Sequence, residues 1–209
     1  MSTHSEGSNV SATEAFERLA KGNERFVRGE SRWAGMKPEV LTGLAQGQQP
    51  FATVLGCSDS RVPPELVFDT GLGDLFVVRV AGNVLSGEVA GSIQYAGSHL
   101  HTPLFVVMGH EECGAVRAAL DTRAHGVVHK SRIHLLVENI LAGIGEPDPA
   151  LSPAAQLARA VEQNTRWTVR QIAESPEGRA RRAERKMKLV GAIYEVASGR
   201  VRFLPDEFS

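Results

Sequence analysis

Apolar positions near the start of the chain recur with helical spacing. Phe16, Leu19, Ala20, Asn23 and Val27 fall at i, i+3, i+4, i+7 and i+11, one narrow face of a helix running from Ala12. Ser11 or Thr13 is placed to cap its start. Such a helix must lie on something, either its own core or a partner subunit. The pattern then changes to short apolar runs: Phe51 to Gly56, Asp74 to Val80 and Leu104 to Met108 read as buried strands. Between them, Ala81-Gly82-Asn83 reads as a turn. Glu88 to Leu100 reads as a helix with Val89, Ile93, Ala96 and Leu100 in register, and another helix opens at Cys113. β-branched and aromatic runs alternating with helices predict an α/β fold with a mostly parallel central sheet flanked by helices.

Further along, residues 122–134 are His-rich and read as loop or partly helical. Glu146-Pro-Asp-Pro149 and Ser152-Pro153 separate two helical segments, the second over residues 154–173. Residues 179–188 are strongly charged and predicted helical. Lys188 to Val196, a turn at Ala197-Ser-Gly199, and Arg200 to Leu204 predict a C-terminal β-hairpin. No internal repeat or long linker divides the chain. The expected organisation is a disordered tail over residues 1–11 and one domain over 12–209, including the N-terminal helical arm.

Composition narrows the function classes. The 209 residues are 42% hydrophobic and 22% charged, which supplies a core without staples. Lys+Arg 23 against Asp+Glu 24 leaves a formal charge of −1, so no global field draws nucleic acid or anionic lipid. No apolar stretch reaches the ~18 residues of a membrane span. The polar start, Met1 to Val10, lacks the apolar core of a secretory signal, so a cytoplasmic location is expected. Only two cysteines are present, Cys57 and Cys113, too few for a disulfide scaffold. In a reducing compartment such a pair reads as metal ligands or catalysts.

Both cysteines stand at the carboxyl ends of predicted strands, where ligands gather in parallel sheets. Gly56-Cys57-Ser58-Asp59-Ser60-Arg61 ends the first strand and Gly109-His110-Glu111-Glu112-Cys113-Gly114 ends the third. His110 and Cys113 have an H-x-x-C spacing that one turn can aim at a single ion. If the two strands are near neighbours, Cys57 and Asp59 join them. Two thiolates and an imidazole suit Zn²⁺, which prefers four tetrahedral ligands. Asp59 then has two competing partners, the metal and the guanidinium of Arg61. With Arg61 holding Asp59, the fourth position opens to a water that ionises near neutral pH, a catalytic layout. Two unrelated buried thiols are the alternative reading.

Taken together, Cys57-Ser-Asp-Ser-Arg-Val-Pro63, Phe76-Val-Val-Arg-Val-Ala-Gly-Asn83 and Gly109-His-Glu-Glu-Cys-Gly-Ala115 resemble a β-class carbonic anhydrase over nearly the whole chain from about residue 12. The resemblance implies a homo-oligomer, a dimer or a dimer of dimers, with the N-terminal arm wrapping a partner. It implies one zinc per subunit on Cys57, His110 and Cys113, with Asp59 as fourth ligand in a closed form only. In the open form Asp59 pairs with Arg61, and these two are the implied catalytic residues. Gln48 matches a substrate-binding glutamine, Phe76 and Tyr95 match pocket aromatics partly contributed across the dimer, and Gly114 matches a backbone amide near the substrate. Some members hold a regulatory bicarbonate with a Trp three residues before the first cysteine and the Arg of the Phe-x-x-Arg run. Here Arg79 is present, but the Trp position is Val54.

The implied reaction is reversible hydration of carbon dioxide to bicarbonate and a proton by zinc-bound hydroxide, at an open-type site near neutral pH. Hydrolysis of carbonyl sulfide or carbon disulfide on the same fold, and a zinc-dependent sensor without turnover, are the alternatives. Neither nucleic acid nor membrane is expected as a partner. His99 and His101 read as helix-end residues, and His125, His129 and His134 as a solvated segment. Arg179 to Lys188 lacks the interleaved aromatics of a nucleic-acid site and reads as a solvated face.

Overall fold

The computed structural model describes residues 10–32 and 38–205. The chain runs α1 (Ala12–Val27), α2 (Pro38–Leu44), β1 (Ala52–Gly56), α3 (Pro64–Val67), β2 (Leu75–Arg79), a 3-10 turn (Ala81–Asn83), α4 (Gly87–Ser98) and β3 (Leu104–His110). It continues through α5 (Gly114–His125), α6 (Ile133–Leu141), α7 (Pro153–Glu174), α8 (Pro176–Ala183), β4 (Lys188–Tyr194) and β5 (Val201–Phe203). The sheet has the order β2-β1-β3-β4-β5. Its first four strands are parallel, and β5 returns antiparallel to close the terminal hairpin.

This order decides where a ligand can sit. β1 lies between β2 and β3, so the chain leaves β1 toward one side and later crosses to the other. The connections diverge beyond the carboxyl ends of β1 and β3, leaving the crevice that open α/β sheets use for ligands. The register pairs Gly56 with Met108, which sets Cys57 beside the end of β3. The two predicted ligand segments are therefore neighbours, as the near-neighbour reading required.

Burial explains why these strands read as continuous apolar runs. Every residue of β1 and of β3 is buried, because helices cover both faces. Ala52, Val54, Leu104, Val106 and Met108 face a core shared with α1, α5, α6 and the first half of α7. Leu55, Phe105 and Val107 face a smaller core made by α4 and the end of α7. β2, an edge strand, is only partly buried.

α1 packs on the core of its own chain. Ala15 and Leu19 are fully buried. Asn23 donates to the carbonyls of Val67 and Gly199 and accepts from the amide of Val201. Arg25 pairs with the buried Asp69. Ser11 is the cap, accepting from the Glu14 amide at 3.1 Å, and Val10 packs against the core. Of the predicted tail, residues 1–9 lie outside the described residues. The charged helix stops earlier than expected, at Ala183, with Arg185 in the left-handed region and Lys188 already in β4. The stretch at 122–134 is partly helical, with α5 extending through His125 and His134 belonging to α6.

Candidate metal centre

Cys57 leaves the carboxyl end of β1, His110 is the last residue of β3, and Cys113 caps α5. The connection between the last two is tight: Glu112 takes a φ of 55°, a left-handed conformation rare for a side-chain-bearing residue, and this turns Cys113 back toward His110. As a result the two sulfurs and a ring nitrogen of His110 all lie within 4.8 Å of one another. All three residues are buried.

The histidine is oriented for ligation. Its Nδ1 lies 2.8 Å from the carbonyl oxygen of Glu111, and a carbonyl only accepts, so Nδ1 carries the hydrogen. The lone pair is therefore on Nε2, the nitrogen left buried without a hydrogen-bond partner. An orphaned buried acceptor facing two sulfurs is costly unless a cation occupies the space. The donor set fits a soft or borderline dication such as zinc.

The sulfurs are electrostatically unequal. The Cys57 thiol is held well below its ordinary value, first because Cys113 hydrogen-bonds it, then through the amides of Gly82 and Asp59. Cys113 is pushed upward by that same hydrogen bond and by burial. In effect the two sulfurs share one proton, leaving the pair a negative charge that a metal would neutralise. The Gly82 amide stands 3.3 Å from the Cys57 sulfur. Gly82 has a φ of 71°, and an added Cβ would stand 2.7 Å from Ile140, so glycine is required there. From α7, Asn164 donates to the Gly82 carbonyl at 2.8 Å and fixes that turn.

Asp59 and Arg61 form a two-pronged pair, Nε to Oδ1 at 2.9 Å and Nη2 to Oδ2 at 2.8 Å. The Arg61 side chain holds the Asp59 carboxyl well below the usual carboxylate range, helped by the Arg61 amide. Asp59 Oδ2 is still only 3.9 Å from His110 Nε2. Arg61 also reaches the carbonyl of Glu112 at 3.4 Å, linking the two ligand segments. Gly114 opens α5 beside Cys113, and a Cβ there would meet nothing within 4 Å, so space adjoins its amide.

Three residues from the resemblance are placed elsewhere in this single chain. Gln48 is exposed on the loop entering β1, at the amino end of that strand, whereas Cys57 follows its carboxyl end. Phe76 and Tyr95 are neighbours, ring centroids 6.1 Å apart, on the α4 side of the sheet. Tyr95 is 45% exposed and stacks on His99. Val54 is fully buried in the main core.

Sequence reasoning missed Gly82, Asn164 and the Glu111 carbonyl as supports of the cluster. Asn164 had a signal, since it lies on the apolar stripe of α7 between Val161 and Thr168 and is buried there. The other two act through the backbone, which residue type does not reveal.

A mostly parallel α/β sheet with a Cys-His-Cys cluster at its switch point is a frame that could hold a metal ion. Comparison with known proteins gives the family. A sequence model of the carbonic anhydrase family matches residues 52–201. A carbonic anhydrase of Mycolicibacterium smegmatis is 40% identical over 197 residues, covering 92% of this chain and 93% of that protein. Carbonic anhydrase 2 of Mycobacterium tuberculosis is 38% identical over 196 residues, covering 92% of each. Among solved structures, the β-carbonic anhydrase CcaA superposes with a TM-score of 0.70 at 25% identity, over 91% of this chain and 95% of that one. A Coccomyxa β-carbonic anhydrase gives 0.70 at 25% identity, over 89% and 84%. The chain belongs to the carbonic anhydrase family, in its β class. Among the described residues no helix is long and apolar enough to cross a membrane.

Proposed function

We propose that this enzyme catalyses the reversible hydration of carbon dioxide to bicarbonate and a proton, using one zinc ion per chain held by Cys57, His110 and Cys113. The observation that carries the reading is the convergence of three buried donors, one an unpartnered Nε2, beside a carboxylate already engaged by Arg61. Zinc bound there supplies a Lewis acid and a water of lowered pKa.

The protein's own groups do the rest. Arg61 keeps Asp59 ionised and turned aside, so the three donors leave a fourth position free. Asp59 Oδ2 accepts a hydrogen from the attacking water and aims its lone pair at carbon. The Gly114 amide and the Gln48 side chain donate to the oxygen that gains charge. Buried Val62 and Val84 belong to the same apolar core as the two cysteines, which limits water around the linear substrate.

Gln48, Phe76 and Tyr95 stand apart from the cluster of their own chain. A second copy supplying them to the pocket accounts for this, and a homodimer or dimer of dimers is part of the proposal. So is a single domain over residues 12–209, supported by one sheet with helices on both faces. Free thiolate ligands fit a reducing cytoplasm. The test is a carbon dioxide hydration assay on zinc-loaded and metal-stripped protein with metal content measured in parallel. Turnover that follows zinc content supports the reading, and turnover independent of metal contradicts it.

A further inference from the structure

Arg79 ends β2, beside Gly56 in the register of the sheet. Its guanidinium is turned to main-chain acceptors. Nε donates to the Cys57 carbonyl at 2.9 Å and Nη2 donates to the Asp59 carbonyl at 2.6 Å. The following residue, Val80, donates its amide to the Gly56 carbonyl at 3.1 Å. Three donors from the end of β2 thus grip the backbone of residues 56–59, just where β1 ends and pairing between strands would otherwise lapse.

We infer that Arg79 is a positioning residue for the metal centre, a two-pronged clamp on the Cys57 and Asp59 carbonyls. The inference rests on the proposed metal site. The physical argument is one of lever arms. Cys57 and Asp59 point in different directions from a segment that belongs to no helix or strand, and a peptide rotation there moves both side chains at once. Fixing the carbonyls of residues 57 and 59 fixes the peptide planes that follow them. The sulfur then faces His110 and Cys113, while the Asp59 carboxylate faces Arg61. Asp59 Oδ2 is only 3.9 Å from His110 Nε2, so a small rotation decides between Arg61 and the donor cluster. Arginine suits the task because its planar fork presents parallel donors to two acceptors at once, whereas lysine offers a single point of attachment. The same geometry commits Nε and Nη2 to backbone oxygens, and Val54, at the position where the bicarbonate-holding members carry Trp, is fully buried aliphatic packing.

The test compares wild type with Arg79→Lys and Arg79→Ala, each loaded with cobalt(II) in place of zinc. Visible absorption of bound cobalt reports the ligand set without relying on turnover. Wild type must first bind one cobalt with thiolate-to-metal absorption lost in Cys57→Ser; if it does not, the metal-site reading itself fails. Given that, the clamp predicts altered cobalt bands in both Arg79 variants and metal affinity or kcat lowered by about 10- to 100-fold. Lysine rescues little, although it restores the charge, and far-UV circular dichroism stays unchanged. Wild-type bands and kcat in Arg79→Lys would overturn the clamp, leaving only a requirement for positive charge. Unchanged bands with altered bicarbonate dependence would overturn it in favour of an anion site. Should Arg79→Ala fail to fold, Arg79→Lys alone decides between these outcomes.

Discussion

The Asp59 carboxylate is gripped at both oxygens by Arg61, at 2.9 and 2.8 Å, yet its Oδ2 stands 3.9 Å from His110 Nε2. One carboxylate is thus within a short rotation of two competing cationic partners, the guanidinium and any metal in the cluster. The guanidinium holds it in this structure, so a metal held by Cys57, His110 and Cys113 would keep a fourth position free of Asp59.

Replacing Arg61 should reverse that choice. Arg61→Gln frees Asp59 while leaving all three donors in place, so the protein is expected to keep its metal and lose about 10- to 100-fold in kcat. Metal analysis alongside steady-state kinetics separates the two effects. Loss of metal together with activity would mean that Arg61 holds the fold of the site instead.

The pH dependence follows from the direction of the Asp59 shift. A carboxyl held below its ordinary value by Arg61 stays ionised in the folded protein throughout the neutral and mildly acidic range. Its stabilising contribution is present above the ordinary carboxylate pKa of about 3.9 and is lost as pH falls through the depressed folded value. The acid limb of the activity profile should therefore not be an Asp59 titration. Carbon NMR of labelled aspartate is expected to show no Asp59 transition between about pH 5 and 9, and a transition there contradicts the pairing.

Metal loading should release protons. Zinc takes cysteine as thiolate, and the metal-free cluster still shares a proton between Cys57 and Cys113. Affinity is expected to rise with pH, and calorimetry in buffers of different ionisation enthalpy should detect the released proton. Removing the metal should lower Tm without dissolving the sheet, because β1 and β3 are buried along their full length by apolar packing.

Gly82→Ala tests the turn that supports Cys57. The substitution forces a Cβ to within 2.7 Å of Ile140 and 3.2 Å of Ala115, at a positive φ. A destabilisation of about 1–3 kcal/mol is expected in denaturant titrations. Weaker metal binding should accompany it, since the Gly82 amide then leaves the Cys57 sulfur. Full stability and affinity in this variant would show that the turn relaxes freely.

How much of this was legible in the sequence depended on how local the signal was. β1 and β3 announced themselves because burial on both faces writes a continuous apolar run, and β2 showed through its β-branched and aromatic residues although it is only partly buried. Cys57, His110 and Cys113 stood out because both cysteines of the chain fall just beyond strand ends, one of them a single turn from a histidine. Short helices such as α3 left no periodicity to read, and the charged run at 179–188 gave no signal for the helix end at Ala183. One amphipathic face does not say what α1 covers within its own chain; Asn23, reaching Val67, Gly199 and Val201, shows that packing through contacts distant in sequence. Arg79 shows the same limit at the site. Some relatives use the matching arginine to hold bicarbonate, and Val54 in place of Trp spoke against that here; what Arg79 does instead, gripping two backbone carbonyls, no residue pattern encodes.

The measurement that bears most directly on the central claim is stopped-flow carbon dioxide hydration by the zinc-loaded protein, compared with Cys57→Ser at equal concentration. The account predicts rapid turnover that rises from mildly acidic to alkaline pH in the zinc-loaded protein. In Cys57→Ser, zinc and turnover are lost together. Undiminished hydration by a zinc-free Cys57→Ser protein, or none by a fully loaded wild type, would contradict it.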